Sequence, residues 1–116
     1  QRGFLSLTER VAKMKTVTLE VTQQDIDRAI AWKRTKNAPG MLSMNCPVAR
    51  AGRRKFHNIS QVYSGRIAVF KNNGKPNQKT CEYQLDAVGT GVISNYDGLR
   101  YNLLKPCVVT LTKVKK

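Results

Sequence analysis

The stretch "KTVTLEVTQQDIDRAIAWKR", residues 15–34, changes its hydrophobic period halfway along. Up to Val21 apolar and polar residues alternate, with Val17, Leu19 and Val21 set against Thr16, Thr18 and Glu20. Side chains of a strand point alternately to its two faces, so this segment predicts a strand with one buried face. From Thr22 the spacing lengthens to that of a helix. Ile26, Ala29, Ile30 and Trp32 fall on one side, with Asp27, Arg28 and Arg34 on the other. Thr22 with Asp25 three residues on forms a capping box that starts the helix. A half-buried strand followed at once by an amphipathic helix hides both apolar faces by stacking one on the other. That confines the fold to helices layered on a sheet.

The rest of the chain repeats these two periods. In "NCPVARAGRRK", residues 45–55, Asn45 or Cys46 caps a short helix with Pro47 in its first turn, where the missing N–H costs nothing. "ISQVY" and "RIAVF" flank Ser64-Gly65 and predict a two-residue hairpin. "TCEYQL" and "KPCVVTLTKV" read as strands. Between them "LDAVGTGVISNYDG" reads as a helix capped by Asp86 and stopped by Gly98. Its apolar stripe is Leu85, Val88, Val92 and Tyr96, and Gly89 and Gly91 weaken it. From Lys33 to Met44 the pattern gives way to a basic loop around Pro39-Gly40.

Near the start, "FLSLTERVAKM" puts Phe4, Leu7, Val11 and Met14 at helical spacing, while "MKTVTLEV" would itself read as a natural start. Residues 1–15 are therefore expected to be an N-terminal arm or extension, and 16–116 a single domain. A chain of 116 residues supplies one core and not two. The predicted class is α+β in two layers: a mixed or antiparallel sheet of four to five strands with two to three helices on one face.

Charge narrows the function. Twenty-one Lys and Arg stand against seven Asp and Glu, a net +14, and no acid lies between Asp27 and Glu82. That acid-free window holds twelve of the basic residues, so it repels itself unless a polyanion neutralises it. On a helix Arg50, Arg53 and Arg54 share an arc of about 100°, opposite Val48. The helix is expected to bury Val48 and display three arginines that no nearby acid can pair. Arginine grips phosphate with parallel hydrogen bonds. The hairpin adds Tyr63, Arg66 and Lys71, and cations interleaved with aromatics suit single strands whose bases stack on rings. The candidate contact residues are Arg34, Lys36, Arg50, Arg53, Arg54, Lys55, Tyr63, Arg66, Lys71 and Lys75, expected to converge on one face. Contacts of this kind position a phosphate backbone and specify no base sequence.

Other chemistries find no foothold. Cys46, Cys81 and Cys107 are an odd set without C-x-x-C spacing, which argues for reduced thiols in a cytoplasmic compartment rather than disulfides or zinc. A thiol at a helix N-terminus can be reactive, but a small buried residue is the commoner role. His57, the one histidine, has no acid beside it to orient a catalytic pair. Glu20, Asp25, Asp27, Glu82, Asp86 and Asp97 form no acidic motif of metal-nuclease spacing, and "GTGVIS" lacks the lysine of a phosphate loop. The expectation is a non-enzyme with no cofactor. No apolar run approaches the ~20 residues that span a bilayer, which predicts a soluble chain with no membrane partner.

The elements "VTLEVTQQDIDRAI", "NCPVARAG" and "LDAVGTGVISNYDG" before a final strand resemble a loose group of small, uncharacterised phage-encoded proteins, over most of residues 16–114. The resemblance implies a compact α+β fold and a setting in the host cytoplasm or a virion. It implies no activity, and this chain departs from the group in its basic 33–44 segment and its charge. The expected function is thus phosphate-led binding of DNA or RNA. The alternative is a protein-interaction module in a virion or ribonucleoprotein particle, or one that grips an acidic host protein.

Overall fold

A computed structural model describes residues 15–38, 40–70 and 79–114. Strand β1 (Thr16–Val21) runs through its Thr22 cap into helix α1 (Gln23–Arg34). A helical turn α2 (Leu42–Asn45) and helix α3 (Pro47–Phe56) follow, and then the strands β2 (Ile59–Tyr63) and β3 (Arg66–Phe70). Strand β4 (Lys79–Leu85), helix α4 (Ala87–Asp97), a 3-10 turn (Tyr101–Leu103) and β5 (Cys107–Lys113) complete the order. The strands make one antiparallel sheet in the order β1-β5-β4-β3-β2. The fold is the two-layer α+β class that the alternating periods predict.

The capping box forms as read: Asp25 N–H donates to Thr22 Oγ1 at 3.2 Å, and Thr22 N–H to Asp25 Oδ2 at 2.9 Å. Ser64 and Gly65 both take positive φ, 50° and 72°, the geometry that turns a two-residue hairpin with the natural twist of its strands.

Strand register sorts the side chains into two faces. Leu19 opposes Val109, Val17 opposes Leu111, and Ile67 opposes Tyr83; all lie on the buried face. Helix α3 crosses this face and touches both edge strands, β1 and β2. Val48, Ala49, Ala51 and Phe56 are fully buried beneath it, and the Phe56 ring stacks on Tyr83 with centroids 5.5 Å apart. Each large side chain so buried stabilises the domain by about 1.5–3 kcal/mol. Gly52 permits the close approach, because a Cβ there would stand 2.6 Å from Ile67 Cδ1.

Three details differ from the sequence reading. Helix α1 continues through Arg34, and residues 42–45 are a helical turn rather than loop. This turn is held by distant arginines, which local periodicity does not reveal. Cys46 alone caps α3, its Sγ accepting from Ala49 N–H at 3.4 Å, while Asn45 belongs to α2. On α4 the buried positions are Gly89, Val92 and Tyr96, and Val88 is exposed. Gly89, which weakens the helix in isolation, is where α4 comes down on β5: a Cβ would meet Val109 Cγ1 at 2.7 Å.

Candidate nucleic-acid interface

Helix α3 presents Arg50, Arg53 and Arg54 away from its buried face, but these guanidiniums are not idle. Arg50 Nε donates to Asn45 O and its Nη2 to Asn45 Oδ1, both at 3.0 Å. Arg53 Nη1 donates to Met44 O. Together they satisfy carbonyls that the short α2 turn leaves without partners, as cations at a helix C-terminus do. Arg54 reaches the other way: Nη2 donates to Glu20 O at 2.8 Å and pairs with Asp25 Oδ2 at 2.7 Å. The expectation that no nearby acid can pair these arginines fails at Arg54. Asp25 lies 29 residues away in sequence and is brought in by the turn from β1 into α1.

The remaining charge is crowded. Arg50 and Arg53 direct donors at neutral oxygens, which orient a guanidinium without cancelling its charge. Partial burial pushes the Arg50 pKa down, Arg53 lowers it further, and Arg28 on α1 adds to the effect. Tyr96 and, less strongly, Asp25 act against this, and Asp25 is already held by Arg54 and the Thr22 N–H. Helices α1 and α3 pack on one another, so Arg28 adds its charge to those that Arg50 and Arg53 hold at the end of α2. Beyond Arg54 the character changes, because the depression formed by Arg54, Lys55, Thr18, Leu19 and Val108 also contains the Glu20 carboxylate. Arg54 is committed to Asp25 and to the Glu20 carbonyl, and Lys55 stands beside it in this depression.

The C-terminal end of α1 carries a second group. Lys33 Nζ donates to Tyr96 O at 2.8 Å and stands 4.4 Å from the Tyr96 ring centroid. The Arg34 guanidinium carbon lies 5.1 Å over the Tyr101 ring. Lys36 follows in an exposed turn.

The other sequence candidates do not join these groups. Ile67 faces α3, so its strand neighbour Arg66 projects from the opposite face of the sheet. There Arg66 Nη1 lies 3.9 Å from Glu82 Oε1, and Tyr63 Oη donates to Glu82 Oε2 at 2.9 Å. Convergence on one face therefore does not hold: Tyr63 and Arg66 look away from the helices and share a carboxylate. Lys71 and Lys75 lie outside the described residues. Sequence reasoning left two contributors out of the candidate set, Arg28 and Tyr101. Arg28 carried a signal, since it sits on the polar side of α1 inside the acid-free window. Tyr101 carried none, because its role depends on where α4 ends against α1.

The thiols are held neutral. Burial pushes the Cys46 pKa up to about 11 against the opposing Ala49 N–H, and burial raises Cys81 and Cys107 as well. All three are free cysteines. His57 ends α3 in the left-handed conformation, φ 58°, its N–H bonded to Arg53 O. Among the described residues no three His, Cys, Asp or Glu gather to hold a metal ion, and no helix is long and apolar enough to cross a membrane. No family model matches the chain, and no curated protein or solved structure matches it either.

Proposed function

We propose that this chain binds the phosphate backbone of nucleic acid across the neighbouring helices α1 and α3. Arg28, Arg50 and Arg53 supply the contact, and Arg34 and Lys36 extend it past the end of α1. The carrying observation is that Arg50 and Arg53 are both held at the end of α2 by bonds to neutral oxygens, while Asp25, the carboxylate at the start of α1, is taken by Arg54. A phosphate entering there gains charge-assisted hydrogen bonds and relieves the mutual repulsion. The reading is non-enzymatic and keeps the protein in the phage-type setting that the resemblance implies, host cytoplasm or virion.

The test is a titration of a labelled 20-mer duplex at 50 and 200 mM salt. Affinity should fall steeply. Arg28→Gln with Lys36→Gln should reduce the slope of log affinity on log salt by roughly 1–2, at about 0.9 for each phosphate no longer neutralised. These two exposed side chains brace no backbone among the described residues, so the variant should fold as the parent does. An unchanged slope, or no binding of the duplex or of its separated strands at 50 mM salt, would overturn the proposal. The exposed Met41, Leu42, Leu99 and Leu103 favour a second reading, contact with an acidic protein. Binding of that kind, resting on apolar burial, would survive moderate salt.

A further inference from the structure

We propose that the Arg34–Tyr101 pair is a stacking site for an unpaired nucleobase, so that the preferred ligand is single-stranded or looped nucleic acid. This rests on the phosphate-binding reading and adds the ligand class to it.

The pair is the outer end of an alternating ladder of cations and rings. Lys33 stands on Tyr96, the Tyr96 and Tyr101 rings lie 6.1 Å apart at 41°, and Arg34 lies over Tyr101. The inner end is fixed: Tyr96 is fully buried, and its hydroxyl donates to Ala29 O at 2.6 Å. The outer end is open, with Tyr101 half-buried and Arg34 exposed. Among the described residues Arg34 makes no hydrogen bond and no ion pair, only the ring contact. The guanidinium face turned away from Tyr101 can therefore take a base and its edge N–H groups a phosphate, the two things a nucleotide offers together.

The platform is also built to stay in place. Arg100 Nη2 donates to Ser94 O and to Ser94 Oγ, both at 3.1 Å, and its Nε donates to Asn95 Oδ1 at 3.1 Å. The 3-10 turn that carries Tyr101 is closed by Leu103 N–H to Arg100 O and Leu104 N–H to Tyr101 O, both at 3.0 Å, and Leu104 is buried. A preorganised ring loses little entropy when a base stacks on it. Bases in a duplex are already stacked and cannot use the site, whereas every unpaired base has a face to offer. The pair Tyr63 and Arg66 does not compete for this role, since Glu82 engages both.

The experiment compares a 12-mer of single-stranded oligothymidine with a 12-base-pair duplex at matched ionic strength, using fluorescence anisotropy. The single strand should bind more tightly. Arg34→Lys keeps the charge and loses the plane, and should weaken single-strand binding roughly 5- to 150-fold, the range of one stacked base. The salt slope, set by charge, should stay within error, and duplex affinity should fall by a smaller factor, since the duplex loses only the guanidinium's grip on a phosphate. In a strand carrying 2-aminopurine, binding should quench fluorescence with the parent protein and not with Tyr101→Leu, whose folding is checked by urea unfolding. If both ligands bind equally and Arg34→Lys changes neither, the stacking inference is wrong while phosphate binding stands. A fall in thermal stability of Arg34→Lys with single-strand affinity intact would make the pair structural, and would equally overturn it. Binding to neither ligand at low salt would remove both readings.

Discussion

Replacing Arg50, Arg53 and Arg54 together by Ala looks harmless from the sequence, since alanine is the better helix former by a few tenths of a kcal/mol per site. The bonds these side chains make predict a real loss. Arg54 leaves Asp25, whose side chain is 11% exposed, with one donor fewer, and leaves the Glu20 carbonyl open. Arg54 itself is half exposed, so its ion pair is screened and contributes about 1 kcal/mol rather than the larger value of a buried pair. Its carbonyl bond adds about 1 kcal/mol, and the bonds of Arg50 and Arg53 to the end of α2 add about the same again. These last two share one partner element and do not add fully, so the total is about 2–3 kcal/mol. For a domain of this size that lowers the melting temperature by roughly 10 °C. Urea unfolding, with Arg28→Ala as the control, measures it. The control should stay within about 0.5 kcal/mol of the parent, as exposed substitutions do. A triple variant as stable as the control would show that these hydrogen bonds contribute nothing and would refute the argument.

Leu99 follows the end of α4 with φ 62° and is 64% exposed, so it pays for a left-handed backbone without burying its side chain. Leu99→Gly should stabilise the domain by about 1 kcal/mol, and a loss in a urea titration would contradict this. A thiol held neutral in the fold and free to ionise in the unfolded chain gives a term fully present below pH 9.0 and lost as pH rises to about 11, the folded value for Cys46. The urea midpoint should therefore fall across that interval, by less in a Cys46→Ala variant referred to its own value at pH 8. Iodoacetamide at pH 8 should modify Cys107 first and reach Cys46 only at the rate of unfolding; rapid modification of Cys46 would contradict its burial. Phosphate and sulfate should raise the melting temperature more than chloride at equal ionic strength, because an anion gripped by the arginines of α1 and α3 binds the native state. Equal effects of the three salts would count against a site there.

What the sequence revealed depended on how far apart the cooperating residues lie. The β1–α1 junction was legible because each determinant is within four residues of its partner: alternation in the strand, and Thr22 with Asp25 at the cap. Helix α2 was not, because its C-terminal carbonyls are satisfied by Arg50 and Arg53 of the next helix. Asp25 was legible as a cap and illegible as the partner of Arg54, since that pairing exists only once α3 has crossed to β1. Gly89 was misjudged for the opposite reason: a local propensity was counted, while the contact with Val109 that requires glycine is tertiary. Arg66 is the instructive case. Helices cover the apolar face of the sheet, so a polar residue that alternates with Ile67 projects from the other face. That conclusion was available from the hairpin alone, and it already separates Arg66 from the arginines of α3.

The carboxylates explain why so much positive charge is left over. Asp25 caps α1 and holds Arg54, and Asp86 accepts from Gly89 N–H at 2.9 Å and from Thr110 N–H at 3.0 Å, fixing α4 to β5. Glu82 binds Tyr63 and Arg66 across the far face of the sheet. Three of the seven acids are thus committed to holding the architecture in place. The cations are used differently: Arg50, Arg53 and Lys33 bond to backbone carbonyls at the ends of helices, which fixes their positions and leaves their charge intact. A guanidinium held in this way is both a brace and an unneutralised, oriented donor. Arg50 and Arg53 are two such charges, Arg28 of the adjoining α1 adds a third that is not held, and Asp25 has already been taken by Arg54. The fold satisfies the hydrogen bonds of its helix ends and leaves its electrostatics incomplete, so the counter-charge has to come from a partner, which on the reading proposed here is a run of phosphates.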